Sequence, residues 1–315
     1  MRLRIEPEWK SMVGFRNYNY ERFSRERLDE FVDARFSGPE AGEQASDFTA
    51  ESLDGETVRL SDYQGGKNVL LVFGSATCPM TAATIGEINA LYDEFRDEVE
   101  FLFVYVREAH PGERIPAHGS MEEKIAAARL LREAEDLEMP VLVDDLRGSI
   151  HRHYSGLPNP AFLIDKSGHV AFRSMWANPE ALAAAIDELL EVEEDRRTDQ
   201  AVVRGGEDLS MPLTYAMLGS HRALHRGGRQ AIYDFHAAVG RGPRAVKRES
   251  QPLLKNPGRI LSIAALTTAV LAGGIYAGFE LRRRRLGLRR NPYRAYEKEK
   301  VRDTETGEDY GAVGI

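Results

Sequence analysis

Apolar residues along this chain come in short unbroken runs, separated by longer stretches in which they recur at every third or fourth position. That is the pattern of buried strands alternating with amphipathic helices. One run covers residues 69–72 and is closed by Phe73 and Gly74. Ile85, Ile88, Tyr92, Phe95 and Val99 then follow at helical spacing and predict a helix over about residues 80–99. Residues 101–106 predict a strand, 121–137 a helix, and 140–143 and 161–164 two further strands. A Lys166-Ser167-Gly168 turn leads to a strand at 169–172. Asn178 and Pro179 then start a helix running to about residue 192, Asn as N-cap and Pro at the first helical position.

A βαβ unit followed by a hairpin and a closing helix is the order of a thioredoxin-like domain. The fold class expected is therefore α/β, a thioredoxin-like mixed sheet flanked by helices. Residues 1–40 read as an N-terminal helical extension, rich in arginine and aromatics, and residues 41–195 as the redox domain. Residues 196–257 form a polar linker and a basic helical segment, in which Gly227-Gly228 separates helices at 211–226 and 229–239. Ile260 to Phe279 is a run of twenty uncharged residues, about the length that crosses a bilayer, so 258–281 is read as one transmembrane helix near the C-terminus. A basic and then polar tail occupies 282–315.

The chemistry concentrates where the first strand meets the first helix. Phe73-Gly74-Ser75-Ala76-Thr77-Cys78-Pro79 holds the only cysteine of the 315 residues, at the predicted N-terminus of the helix. Free N–H groups and the positive end of the macrodipole favour a thiolate there, so the position predicts a thiol more acidic than the free value of about 8.5. Free cysteines elsewhere are commonly small buried hydrophobes. A thiolate at Cys78 would attack a halogen, a peroxide oxygen or a disulfide sulfur, and a nearby acid would protonate the leaving atom. His110, at a strand end, is the candidate acid, with Glu108 two residues away to orient it or hold it protonated. One cysteine cannot form an internal disulfide, so its oxidised form needs an external thiol reductant.

Several segments together resemble the iodothyronine deiodinase family. They are Gly74-Ser75-Ala76-Thr77-Cys78-Pro79, Val104-Tyr105-Val106, Glu108-Ala109-His110-Pro111, Ile115-Pro116-Ala117-His118 and Ala126-Ala127-Ala128-Arg129-Leu130, over roughly residues 65–190. The resemblance implies that Cys78 stands at the family's selenocysteine position, and that Glu108, His110 and His118 stand at positions tied to proton supply and substrate binding. Thr77 and Thr81 join His118 as substrate-positioning candidates. So does Pro160, which resembles the cis-proline facing the reactive cysteine in thioredoxin-like folds; Pro158 competes for that role. The family likeness also implies a homodimer. Cysteine in place of selenocysteine, Ala76, Met80 and the Gly112-Glu113-Arg114 continuation all depart from the animal pattern.

A net charge of −8 and a pI near 5.6 argue against nucleic acid as a partner. No metal or cofactor is expected, and the partners are a small-molecule substrate, a thiol reductant and the membrane. The lone thiol and the lack of an apolar leader place the redox domain in the cytoplasm, although basic residues such as Arg282 to Arg285 after the span favour a cytoplasmic C-terminus. Three functions follow: a membrane-anchored, thiol-dependent reductase attacking a halogen or similar centre, a one-cysteine peroxidase, and a non-catalytic scaffold. The peroxidase reading rests on the Cys-x-x-Thr spacing of Cys78 and Thr81.

Overall fold

The chain is described from a computed structural model, which covers residues 18–33, 36–196, 201–209 and 213–239. Its elements are α1 (Arg25–Asp33), β1 (Thr49–Ser52), β2 (Thr57–Arg59), β3 (Asn68–Gly74), α2 (Pro79–Phe95), β4 (Val99–Tyr105), α3 (Met121–Glu135) and β5 (Val141–Val143). They continue with α4 (Ser149–Tyr154), β6 (Ala161–Ile164), β7 (Val170–Ser174), α5 (Pro179–Arg196), β8 (Glu207–Asp208), α6 (Leu213–Gly227) and α7 (Arg229–Ala238).

The strands form one mixed sheet in the order β2-β1-β5-β4-β3-β6-β7-β8. β3, β4 and β5 are parallel, and β6 runs antiparallel to β3. β3 lies in the middle of the sheet and every one of its residues is buried. That explains its unbroken apolar run, since a strand covered on both faces has no position to give to water. Its side chains still alternate: Leu70 and Val72 enter the core under α2, α3 and α5, while Val69, Leu71 and Phe73 enter the second core with Ile150 and Tyr154 of α4. Sheet and flanking helices thus have the thioredoxin-like arrangement expected from the element order.

Differences from the sequence reading have local causes. α2 ends at Phe95, and Val99 opens β4 opposite Asn68, because a turn at residues 96–98 breaks the helical spacing before Val99 is reached. Residues 196–206 read as a linker, yet β8 follows at once and pairs with β7 through Arg173 and Glu207. The described part of the basic segment, α6 and α7, likewise packs onto the domain. α6 crosses α2 at Gly219, where a Cβ would lie 1.7 Å from the Pro79 carbonyl oxygen. Arg222 and Arg226 of α6 share the buried carboxylate of Glu135, at 2.9 and 2.5 Å. Of the N-terminal extension, residues 18–33, which include α1, and 36–40 are described. The apolar span read at 258–281 lies outside the described residues; among these, no helix is long and apolar enough to cross a membrane.

Gly219→Ala would force α6 off the α2 backbone. It is expected to cost about 1–3 kcal/mol, the usual range for overpacking. Chemical denaturation should show the loss, and a variant as stable as the wild type would mean that α6 does not dock as described.

Candidate active site

The parallel register of β3 and β4 pairs Gly74 with Tyr105, the last residues of the two strands. Three residues beyond each, Thr77 and Glu108 therefore meet. The Thr77 amide donates to Glu108 Oε2 at 2.8 Å and its hydroxyl donates to the same oxygen at 2.5 Å. The Tyr105 hydroxyl donates to Oε1 in a short contact, and His118 Nε2 lies 3.2 Å from that oxygen. All four residues are buried. Burial alone would push the Glu108 carboxyl up, but the bonds and charge of His118 and the bonds from Thr77 and Tyr105 outweigh it and hold the group below its ordinary value. Glu108 is thus an anion at neutral pH, inside the protein.

Cys78 stands at the N-cap of α2, with Pro79 in the first turn, as the sequence predicted. Its acidity does not follow the prediction. The residue is 1% exposed and sits among Met80, Ala109 and Trp176. Burial pushes its pKa up, and the nearby Glu108 charge adds to that; the amide and hydroxyl of Thr81 and the amide of Met80 only partly offset the rise. The helix end does favour the thiolate, but loss of water outweighs it.

His110 is also corrected. Glu108 pairs with His118, not with the histidine two residues away. The His110 amide donates to the Thr77 hydroxyl oxygen at 3.0 Å, which fixes the backbone of this corner to the Glu108 cluster. Its ring is buried, packs 4.2 Å from the Phe23 ring between centroids, and has no hydrogen-bond partner at Nδ1 among the described residues. Burial lowers its pKa to about 3, with the Glu108 charge opposing, so His110 is neutral at neutral pH and is not held protonated.

Thr81 is fully buried beside the thiol, and its hydroxyl accepts a 3.4 Å contact from Asn159 Nδ2. Pro160 follows Asn159 at the start of β6, and its carbonyl accepts from the Phe73 amide at 3.0 Å. Its peptide bond is trans, as are all those among the described residues, where the sequence anticipated cis. The Phe73 amide and carbonyl both bond to this corner, the carbonyl through Asn159 Nδ2 at 2.8 Å, and that ladder contact seats Pro160 as the opening of a strand. Among the described residues, no group of three or more His, Cys, Asp or Glu is placed to hold a metal ion. Tyr105 and Trp176 belong to the site and were missed. A tyrosine closing a buried strand three residues before Glu108 was a usable signal for the first; the second gave none.

Two outcomes are expected. The ring resonances of His110 should stay those of a neutral imidazole from pH 8 down to pH 5, whereas a titration near 6.5 would contradict its burial. The lowered Glu108 pKa stabilises the fold above the unfolded carboxylate value of about 4.3, and that contribution is lost as pH falls through the lower folded value. Denaturant unfolding measured against pH should therefore fall off in acid more steeply for the wild type than for Glu108→Gln.

Comparison with known proteins gives the same direction. A family model described as iodothyronine deiodinase matches residues 13–180. Type I iodothyronine deiodinase of Xenopus laevis is 29% identical over 159 residues, which are 46% of this chain and 62% of that protein. Thyroxine 5-deiodinase of Rattus norvegicus is 33% identical over 119 residues, 34% of this chain and 38% of that protein. A solved putative protein disulfide isomerase from Bacteroides thetaiotaomicron matches at 21% identity and a TM-score of 0.39, over 50% of this chain and 95% of that one. The chain spans less than two thirds of the length of these curated relatives. With more than half of its length matched by the family model, from the N-terminal segment through β3, the Cys78 loop and the Glu108 cluster into the start of α5, the chain belongs to the iodothyronine deiodinase family.

Proposed function

We propose that this protein is a thiol-dependent reductase that removes a halogen from an aromatic carbon. The observation that carries the reading is the buried Glu108 anion, which accepts from the amide and hydroxyl of Thr77, the residue next to the thiol. The Cys78 thiolate attacks the halogen, forming an S–X bond as the C–X bond breaks, and the electron pair left on carbon takes up a proton. That proton comes from the His118–Glu108 pair, with the Thr77 hydroxyl linking the pair to the thiol loop. An external thiol displaces halide to give a mixed disulfide, and a second thiol frees Cys78. Neutral His110 serves as a hydrogen-bonding contact for the substrate.

The raised thiol pKa weighs equally on dehalogenation and on the peroxidase reading, since both start from the thiolate. A buried, weakly acidic cysteine is also what a non-catalytic scaffold would carry. Against the scaffold stands the charged Glu108 cluster, since a buried anion is costly and a fold with no use for it does better with apolar side chains of similar volume. The membrane as a partner, a single span at 258–281 with the redox domain on the cytoplasmic side, and a homodimer are parts of the same proposal. Of these, membrane attachment fits the family.

The test is iodide release from iodinated phenols by the full chain with excess dithiothreitol. Wild-type turnover should rise with pH between 7 and 9 as thiolate forms, Cys78→Ser should give only background, and His118→Ala should lose about 10²–10⁴-fold, the usual contribution of a positioned acid or base. Equal release by wild type and Cys78→Ser, or none by either, would leave the scaffold reading standing.

A further inference from the structure

The last two helices lie beyond the residues that the deiodinase model matches, and α6 is pinned along its inner face. Gly219 meets the Pro79 carbonyl, the Arg222 guanidinium donates to the carbonyl of Ala82, and Arg222 and Arg226 both end on the Glu135 carboxylate. Where the helix ends, a Cβ on Gly227 would lie 2.8 Å from the His110 carbonyl oxygen. These contacts fix the rotation of α6 about its axis, and so fix which residues it turns outward.

His221 and His225 stand on the outer face, four residues apart and both exposed. One helical turn makes such residues neighbours. Here their ring centroids lie 4.3 Å apart, with the ring planes 33° from one another. Two imidazole nitrogens that each bind one ion at about 2.0–2.1 Å must come within roughly 3–4 Å of each other, and rings this close reach that by side-chain rotation. Histidines at i and i+4 of one helix face are the pair that helical zinc sites use. The arginines interleaved with them would repel a cation if they shared that face. Their side chains are instead only 15% and 8% exposed and spend their charge on Glu135.

We propose that His221 and His225 chelate a divalent transition-metal ion of the cobalt-to-zinc series. The sequence reading anticipates no metal, and the pairing of the two rings is the reason to place one. Imidazole nitrogens select such an ion over Mg²⁺ or Ca²⁺, which take oxygen ligands. Among the described residues no third His, Cys, Asp or Glu completes the set, so water or an outside ligand fills the remaining positions and the ion exchanges. Chelation needs both rings on one turn of helix. The ion therefore binds α6 in its folded form and stabilises it. The site uses no residue of the thiol corner and does not depend on the reaction proposed for Cys78.

The test titrates Zn²⁺ into the full chain against a chromophoric chelator at fixed pH, with Mg²⁺ as the control ion. The proteins are the wild type, His221→Ala, His225→Ala, the double variant and Cys78→Ser. The tightest zinc ion should bind the wild type and Cys78→Ser equally, and Mg²⁺ should not displace it. Each single histidine variant should weaken binding by roughly tenfold or more, at least what losing a ligand's outer-shell partner costs. The double variant should lose little beyond that, because one imidazole alone does not chelate. The denaturation midpoint of the wild type should rise with the logarithm of free Zn²⁺ and stay put in both single variants, a readout independent of the chelator. Zinc bound as tightly by the double variant as by the wild type, or lost in Cys78→Ser, would overturn the site. Single variants whose losses simply add in the double would overturn the chelate.

Discussion

A carboxylate buried at the end of the sheet organises this protein's site. Moving a charge out of water is so unfavourable that Glu108 can remain ionised only if its oxygens are filled by donors. Thr77, Tyr105 and His118 supply them, from the loop after β3, the end of β4 and the loop before α3. Three chain segments are thereby held in one geometry, and the parallel Gly74–Tyr105 register brings the first two to the same spot. The fold contributes the register, and the register contributes the cluster.

The same burial that makes Glu108 expensive governs Cys78. A helix N-terminus favours an adjacent negative charge by roughly 0.3–1 kcal/mol when exposed, and up to about 2 in partly buried settings. Full burial can move a pKa by up to about 3–5 units in the other direction. The second effect is the larger, and the Glu108 charge adds to it, so the buried thiol rests protonated. A thiol held this way is quiet toward stray electrophiles and toward oxidation.

The sheet was largely legible because β3, α2, β4 and α3 are long and strongly periodic. Val99 was assigned to the helix because it continued the three- and four-residue spacing, although a turn had already intervened. β8 was missed because two residues in a polar stretch carry no period. In the site, the position of Cys78 was readable, but its acidity was not. The helix end is written locally, whereas the burial comes from the loop after β4 and the Trp176 turn after β7. Glu108 was assigned to His110 by nearness in sequence, yet its partner is His118, ten residues on and buried with it. The neutrality of His110 depends on enclosure by Phe23 and Phe235, which come from the two ends of the described chain. No local pattern around His110 could have announced them.

The most direct test of a buried Glu108 anion governing the thiol is the ultraviolet thiolate absorbance of Cys78 titrated against pH, taken as the difference from Cys78→Ser, in the wild type and in Glu108→Gln. The account expects a wild-type midpoint above the ordinary thiol value and a lower midpoint once the neighbouring charge is removed. A wild-type midpoint near or below neutrality, or one that stays put or rises in Glu108→Gln, would contradict it.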